Sequence, residues 1–192
     1  MKKLLIIFLF LINYSSSNAE NLKIYTIASI NNTIITSLDL DNEIEIIKIL
    51  DSNVISQKID LKKIALNNLI KENLKKNEIQ KNKITIDEKI ILDQHTKLLK
   101  DLKKNNLIIS ENTKDIIYSK IKTETLWNQF IVDKYSWQLG INMQEVKKKV
   151  DDNNSLNDIN LIIKNEKNKK LNVYSKNYLE NLQKKALIKF YK

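Results

Sequence analysis

Residues 27–43, IASINNTIITSLDLDNE, decide how the fold begins. Two short apolar runs flank Asn31 and Asn32, and Asn tolerates positive φ better than most residues, so this pattern predicts a tight β-hairpin. Thr36 or Ser37 can then cap a helix by accepting a backbone N–H bond, and the acids that follow favour its first turns. The stretch therefore predicts a strand, a turn, a second strand and a capped helix.

The residues before the hairpin have the pattern of a secretory signal peptide. Lys2 and Lys3 form a basic start, residues 4–12 are all apolar, and Ala19 ends a small-x-small cleavage pattern. The apolar run is well short of the roughly 20 residues that span a bilayer, although an uncleaved anchor is the alternative. We expect residues 1–19 to be removed. The rest of the chain is then predicted to be periplasmic, without stable membrane insertion.

The composition limits the classes of partner. The net charge is +10, but all 33 basic residues are Lys, and the chain has no Arg. Because Arg supplies most of the forked contacts to bases and phosphates, and export separates the chain from nucleic acid, we do not expect nucleic-acid binding. Attraction to acidic unfolded chains or to anionic membrane faces stays open.

Apolar periodicity predicts a mainly α-helical chain after the hairpin. Helices are expected over residues 38–50 and 61–80. A third should follow the capping-box spacing of Thr85 and Glu88, and a fourth should run from Ser110 to a glycine stop near Gly140. A short helix is expected over residues 142–150. Residues 151–172 are polar and predict a linker, and a last helix is expected over residues 175–191.

The residues that usually carry catalysis are scarce. The chain has no Cys, which excludes thiol nucleophiles, disulfides and thiolate metal sites. His95 is the only histidine, and acid–base chemistry needs a positioned partner, so we interpret it as an exposed helix residue. Asp39, Asp41 and Glu43 imitate a calcium loop, but the Gly and the final Glu of that motif are missing. We therefore expect no enzymatic activity, no metal and no cofactor.

Four aromatic residues within the predicted fourth helix are the remaining candidates for a binding site. Aromatic residues at helical spacing most often pack a core, and that is the preferred interpretation of any single one. The functional alternative is that some of them border an apolar crevice for unfolded chains. The candidates are Trp127, Phe130, Tyr135 and Trp137.

The order of these elements resembles that of the SurA-type periplasmic chaperones. The resemblance rests on five segments, each of low specificity by itself, which together cover most of the chain. They are residues 27–41 (the opening hairpin and helix start), 69–74 and 84–88 (the second helix and the step into the third), 141–146, and 178–183 in the final helix. The resemblance implies a helical chaperone module over residues 20–150. The helix over residues 173–192 would pack back on that module and complete it.

The departures from this family concern its enzymatic part. Leu38 stands where the family usually has the capping Ser, and the segment between the third and fourth helices looks shortened. The family inserts parvulin-type prolyl isomerase domains before its last helix, but here only residues 151–172 fill that place. A domain takes about 50 residues or more, so no isomerase fits.

What the resemblance implies is an ATP-independent holdase without prolyl isomerase activity. Its implied partners are unfolded outer-membrane proteins and the outer-membrane assembly machinery. Two alternatives stay open. One is a basic helical structural or scaffold protein of the tentacled-chaperone kind, which predicts a trimer in light scattering; the other is a residual peptidyl-prolyl isomerase.

Overall fold

The computed structural model describes residues 23–50, 60–140 and 156–191, with only the backbone described for 156–158. The predicted signal peptide and the predicted helix over residues 142–150 lie outside the described residues. Within them the chain is mainly α-helical, as the sequence predicts. The elements are β1 (Thr26–Ile30), β2 (Thr33–Thr36), α1 (Ser37–Leu50), α2 (Leu61–Lys81), α3 (Glu88–Lys104), α4 (Glu111–Tyr135), a 3₁₀ turn (Ser136–Gln138), α5 (Leu156–Lys185) and β3 (Ile188–Phe190).

The predicted hairpin is present and is part of a three-stranded sheet. Asn31 has a φ of 51°, in the left-handed region that Asn tolerates. β1 pairs antiparallel with β2, where Ser29 lies opposite Ile34. On its other side β1 pairs antiparallel with β3, where Ser29 lies opposite Lys189, so the strand order is β2-β1-β3. β3 was not predicted from the sequence, which predicts a helix over these residues.

The start of α1 is capped by Thr36, one of the two predicted candidates. Thr36 Oγ1 accepts a hydrogen bond from the backbone N–H of Asp39 at 3.2 Å, and Asp39 Oδ2 accepts one from the N–H of Thr36 at 2.8 Å. This is a reciprocal capping box with Asp at its third helical position. Ser37 Oγ instead accepts the N–H of Tyr25. Asp39 therefore serves the helix start.

Helix α3 begins at a different cap from the one that the sequence predicts. Asp87, rather than Thr85, accepts the hydrogen bond, from the backbone N–H of Lys89 at 2.9 Å. The helix begins at Glu88, which places Thr85 too far upstream to reach an unpaired N–H of the first turn. At α4 the prediction is confirmed, since Ser110 Oγ accepts the N–H of Thr113 at 3.1 Å.

The ends of α2 and α3 use left-handed residues other than glycine. Lys83 and Asn106 have φ values of 51° and 57°. The residue after each donates to the carbonyl five residues earlier, Ile84 to Ile79 and Leu107 to Leu102, which is the Schellman pattern. Gly140 has no positive φ. The predicted glycine stop is therefore wrong, because α4 ends earlier, in the 3₁₀ turn.

Three apolar clusters hold the elements together. One lies under the sheet, one joins α2, α4 and α5, and one joins α1, α3 and α4. Their buried members are Ala28, Ile30, Ile35, Ile70 and Leu74; Ile79, Trp127, Phe130 and Ile131; and Ile46, Leu102 and Ile117. The first two clusters are completed by α5, because Leu179 and Leu182 pack against both.

The last helix is longer at its start and shorter at its end than the sequence predicts. Residues 156–172 are helical, so the prediction of a polar linker is wrong over that range. The helix was not predicted because these residues include few apolar side chains, and the exposed side of a helix needs no apolar stripe. The helix ends at Lys185 and not near Tyr191, because the following residues extend and pair with β1. Its second half packs on α2, α4 and the sheet, which agrees with the expected return of the chain.

Candidate functional site

An open cleft of about 710 Å³ lies between α1, α2, α4 and the beginning of α3. The elements around it meet through the apolar clusters described above, and its walls are helical except at Ile86, which precedes α3. Its lining mixes aliphatic side chains with amides and charges. The aliphatic members are Leu50, Ile86, Ile121 and Val132, and the amide members are Asn68, Gln94, Asn128 and Gln129.

A cluster of ionised side chains joins three helices at one wall of this cleft. Lys120 Nζ of α4 lies 2.5 Å from Glu43 Oε2 of α1 and 2.6 Å from Glu72 Oε2 of α2. Glu72 also pairs with Lys76 at 2.6 Å. Glu43 is only 3% exposed, and its other oxygen accepts a hydrogen bond from Asn68 Nδ2 at 3.1 Å. The cluster is thus a buried, internally neutralised link between helices.

The pKa values of this cluster follow from its pairing. Burial alone would raise the pKa of Glu72, but the charge of Lys120 and hydrogen bonds from Lys120 and Lys76 outweigh burial and lower it. Burial would likewise lower the pKa of Lys120, whereas Glu72 and Glu43 together raise it. Glu72 and Lys120 therefore stay ionised near neutral pH and are not poised to exchange protons there.

The arrangement of the cleft favours binding of an extended chain. Asn128 can donate to and accept from a peptide backbone, and Asn68, Gln94 and Gln129 can do so only with the amide atoms that do not already bond Glu43, Thr125 and Asp133. The aliphatic side chains can cover apolar residues of varied shape. Lys71, Lys75 and Glu124 add charge at the cleft, and Lys75 Nζ pairs with Glu124 at 2.5 Å. Such a surface can bind weakly and with little sequence preference.

Two of the four predicted aromatic residues cannot contact a client in this conformation. Trp127 and Phe130 are 1% and 3% exposed and pack with Tyr178 of α5. Trp127 Nε1 donates to Ser175 Oγ at 2.8 Å, so its one polar atom also has a partner in α5. The core interpretation applies to both. The reason is that α5 packs across this face of α4, with Ser175 and Tyr178 in contact with it.

The other two aromatic residues lie near the end of α4, away from the cleft lining. Tyr135 stacks on Tyr174 with ring centroids 4.8 Å apart. Trp137 is 77% exposed, and its Nε1 donates to the carbonyl oxygen of Lys134 at 2.9 Å. The four candidates therefore do not form one site, and Trp137 alone presents a large apolar surface.

His95 has structural partners. Its Nε2 lies 3.1 Å from the carbonyl oxygen of Lys114, and its ring meets Tyr118 edge-on at 5.4 Å. The Tyr118 hydroxyl in turn donates to Glu88. These contacts join α3 to α4. In the three described segments of the chain, no group of three or more acidic or histidine side chains could hold a metal ion.

Sequence reasoning missed the charged wall of the cleft. A usable signal existed at Glu43, because it lies on the face of α1 that carries Leu40 and Ile46. A charge inside an apolar stripe requires a buried partner. The partners of Glu43 could not be named from the sequence. Glu72 lies 29 residues after Glu43 in another helix, and Lys120 lies 77 residues after it in a third helix.

None of the described helices is both long and apolar enough to cross a membrane. Compared with known proteins, the chain matches no family model and no curated protein.

Proposed function

We propose that this chain is an ATP-independent periplasmic chaperone of the SurA type, which holds unfolded outer-membrane proteins and has no prolyl isomerase activity. The observation that carries the proposal is the open cleft between α1, α2, α3 and α4, whose lining combines aliphatic, amide and charged side chains. A holdase needs a surface that tolerates many sequences and releases its client without an energy source.

The energetics of the cleft fit such a role. Burying one aliphatic or aromatic client side chain contributes about 1.5 to 3 kcal/mol, and the ordering of the client chain offsets part of it. A few such contacts give affinities in the micromolar range, which permit release. The net charge of +10 becomes +8 when Lys2 and Lys3 leave with the predicted signal peptide, and it adds attraction to acidic client segments.

The organisation of the chain supports the absence of an isomerase. Between Gly140 and the start of α5 at Leu156 there is room for residues 141–155 alone, whereas a domain takes about 50 residues or more. The client would then be released unmodified, for delivery to the outer-membrane assembly machinery.

An aggregation assay tests the proposal. An unfolded outer-membrane β-barrel protein is diluted from denaturant with residues 20–192 of this chain, and light scattering is followed. We expect suppression of scattering at stoichiometric excess and no acceleration of proline-limited refolding. Lack of any suppression would overturn the proposal.

A matched pair of variants locates the binding surface. Val132 lines the cleft and is 37% exposed, whereas Val173 of α5 is 56% exposed and lies outside the lining. We expect Val132→Lys to lose most of the suppression and Val173→Lys to keep it. Equal activity of the two variants would show that clients bind elsewhere.

A further inference from the structure

The loop between α3 and α4 carries the most exposed large apolar side chain among the described residues. Ile108 is 101% exposed, and its neighbour Leu107 is 40% exposed. A single exposed apolar residue is ordinary on a protein surface. Here, however, both residues border a second concavity of about 490 Å³, which shares no lining residue with the cleft of the proposed function.

The loop that carries Ile108 is fixed by hydrogen bonds at both of its ends, and this keeps Ile108 pointing outward. At the end of α3, Leu107 N–H donates to the carbonyl oxygen of Leu102 at 3.3 Å, and Asn106 has a φ of 57°. At the start of α4, Ser110 caps the helix. Between them, Ile109 packs against the apolar cluster of α1, α3 and α4. The exposure of Ile108 is therefore a fixed feature of the surface.

Lysines surround this apolar tip. The concavity is lined by the aliphatic side chains of Leu99, Leu107, Ile108 and Ile109 together with Thr96, Lys100, Lys103 and Lys114. Lys114 pairs with Glu111 at 2.6 Å, and the neighbouring Lys104 pairs with Asp101 at 3.5 Å. In the described part of the chain, no acid lies within ion-pair distance of Lys100 or Lys103.

We propose that this end of the molecule docks on the anionic surface of a lipid bilayer, with Leu107 and Ile108 inserted among the lipids and Lys100 and Lys103 bound to headgroups. The arrangement of lysines around an apolar tip matches the layers of a bilayer in both charge and position. A bilayer presents negative headgroups above an apolar interior, and lysines bind those headgroups while their stems cover apolar surface.

Charge complementarity favours this occupant over a second copy of the chain. A symmetric pair formed through this face would bring Lys100 and Lys103, which have no acidic partner among the described residues, against their own copies. Such like-charge contacts disfavour association. An anionic surface instead gains from every lysine near it, by about a fivefold increase in binding for each one.

Vesicle co-sedimentation of residues 20–192 tests the inference. We expect binding to vesicles of phosphatidylcholine with about one-third phosphatidylglycerol, weak binding to phosphatidylcholine alone, and loss of binding at high salt, which screens exposed charges. Ile108→Ser should weaken binding about fivefold or more, and Lys100→Gln with Lys103→Gln by about 25-fold.

Two control variants separate this surface from general basicity. Val173→Ser removes an exposed apolar side chain elsewhere, and Lys184→Gln with Lys185→Gln removes two exposed lysines at the end of α5. Both controls should bind like the unaltered chain. If the controls lose as much binding as the loop variants, or if the loop variants lose none, the proposal is overturned.

A fluorescent label reports insertion directly. Because the chain has no cysteine, Ile108→Cys can be labelled uniquely with an environment-sensitive dye. We expect a blue shift on anionic vesicles and none with a label at Val173→Cys. An unchanged spectrum at position 108, or a concentration-dependent dimer that Ile108→Ser dissolves, would show that this surface does not serve a membrane.

Discussion

The backbone N–H of Tyr191 donates a hydrogen bond to the carbonyl oxygen of Ile27 at 2.8 Å, which joins the end of the described chain to its first strand. The side chain of Tyr191 makes a second link, since its hydroxyl lies 3.2 Å from Ser29 Oγ. The C-terminal residues thus extend the N-terminal hairpin into a sheet. The fold is closed by contacts between residues more than 150 positions apart.

Deleting residues 187–192 should destabilise the protein although it removes no helix. The deletion exposes the apolar cluster on which Ile188 packs and leaves one edge of β1 unpaired. We expect the free energy of unfolding in urea to fall by about 2 to 4 kcal/mol. The control is Lys189→Ala, which keeps the backbone pairing and should change it by less than about 0.5 kcal/mol. A deletion variant as stable as the full chain would contradict the closing role of β3.

Two substitutions within three residues should separate the real cap of α3 from the apparent one. Asp87→Ala removes the side chain that accepts the N–H of Lys89 and should cost about 1 kcal/mol in the free energy of unfolding. Thr85→Ala should cost less than about 0.5 kcal/mol, because Thr85 is exposed outside the helix. Equal losses in the free energy of unfolding would contradict the assignment of the cap to Asp87 alone.

The features that could be predicted from sequence are those fixed by neighbouring residues. The turn at Asn31, the cap at Ser110 and the bounds of α2 depend on side chains within a few positions of the backbone that they serve. β3 could not be predicted, because Ile188 extends only to meet Ile30, which is 158 positions earlier. Its own local sequence is compatible with a helix.

Contacts between residues distant in sequence also explain why the candidate site could not be predicted. Trp127 and Phe130 have the spacing of a buried stripe, but only the position of α5 determines that both are covered. The beginning of α5 was misassigned because its residues carry few apolar side chains. The cleft could not be predicted at all, since its lining comes from four helices and includes side chains with no motif of their own.

Tyr178 should contribute to stability through both its ring and its hydroxyl. The ring packs with Trp127 and Phe130, and the hydroxyl donates to Glu78 Oε1 at 2.6 Å. Tyr178→Phe keeps the ring and should cost about 1 to 2 kcal/mol in thermal or urea unfolding. Tyr178→Ala should cost about 3 kcal/mol or more. If the Phe and Ala variants are equally stable, the ring does not pack as described.

The hydroxyl of Tyr178 also predicts a difference at alkaline pH. Burial, with the hydrogen bond to Glu78, raises the pKa of Tyr178 well above its ordinary value of 10.0. A raised folded-state pKa means that this contribution to stability is complete below pH 10 and is lost as pH rises beyond it. Between pH 8 and pH 11 the unaltered protein should therefore lose more stability than Tyr178→Phe. Parallel pH profiles would contradict the prediction.

Lys120 should be the most costly single charge to remove. Lys120→Met keeps much of the side-chain volume but leaves the carboxylates of Glu43 and Glu72 facing each other without their shared cation. Removing one partner of a buried pair costs about 3 to 5 kcal/mol, and we expect a loss of about 3 kcal/mol at pH 7 by urea unfolding. Lys114→Met is the control, because its partner Glu111 is exposed, and it should cost less than about 1 kcal/mol.

The loss caused by Lys120→Met should shrink as the pH falls, for a reason that can be worked out from Glu72. In the unaltered protein the pKa of Glu72 lies below the ordinary 4.5, so its contribution is present above that pH and disappears as pH falls through the folded-state value. In the variant Glu72 keeps Lys76 but loses Lys120, so its pKa lies higher than in the unaltered protein, and its protonation relieves the repulsion between the two carboxylates as the pH falls. Between pH 7 and pH 3 the stability difference between the two proteins should therefore shrink, because the unaltered protein loses the contribution of Glu72 only below pH 4.5, whereas protonation of Glu72 relieves Lys120→Met at a higher pH. A stability difference that stays constant over this range would show that the cluster does not hold its charges in the buried arrangement described.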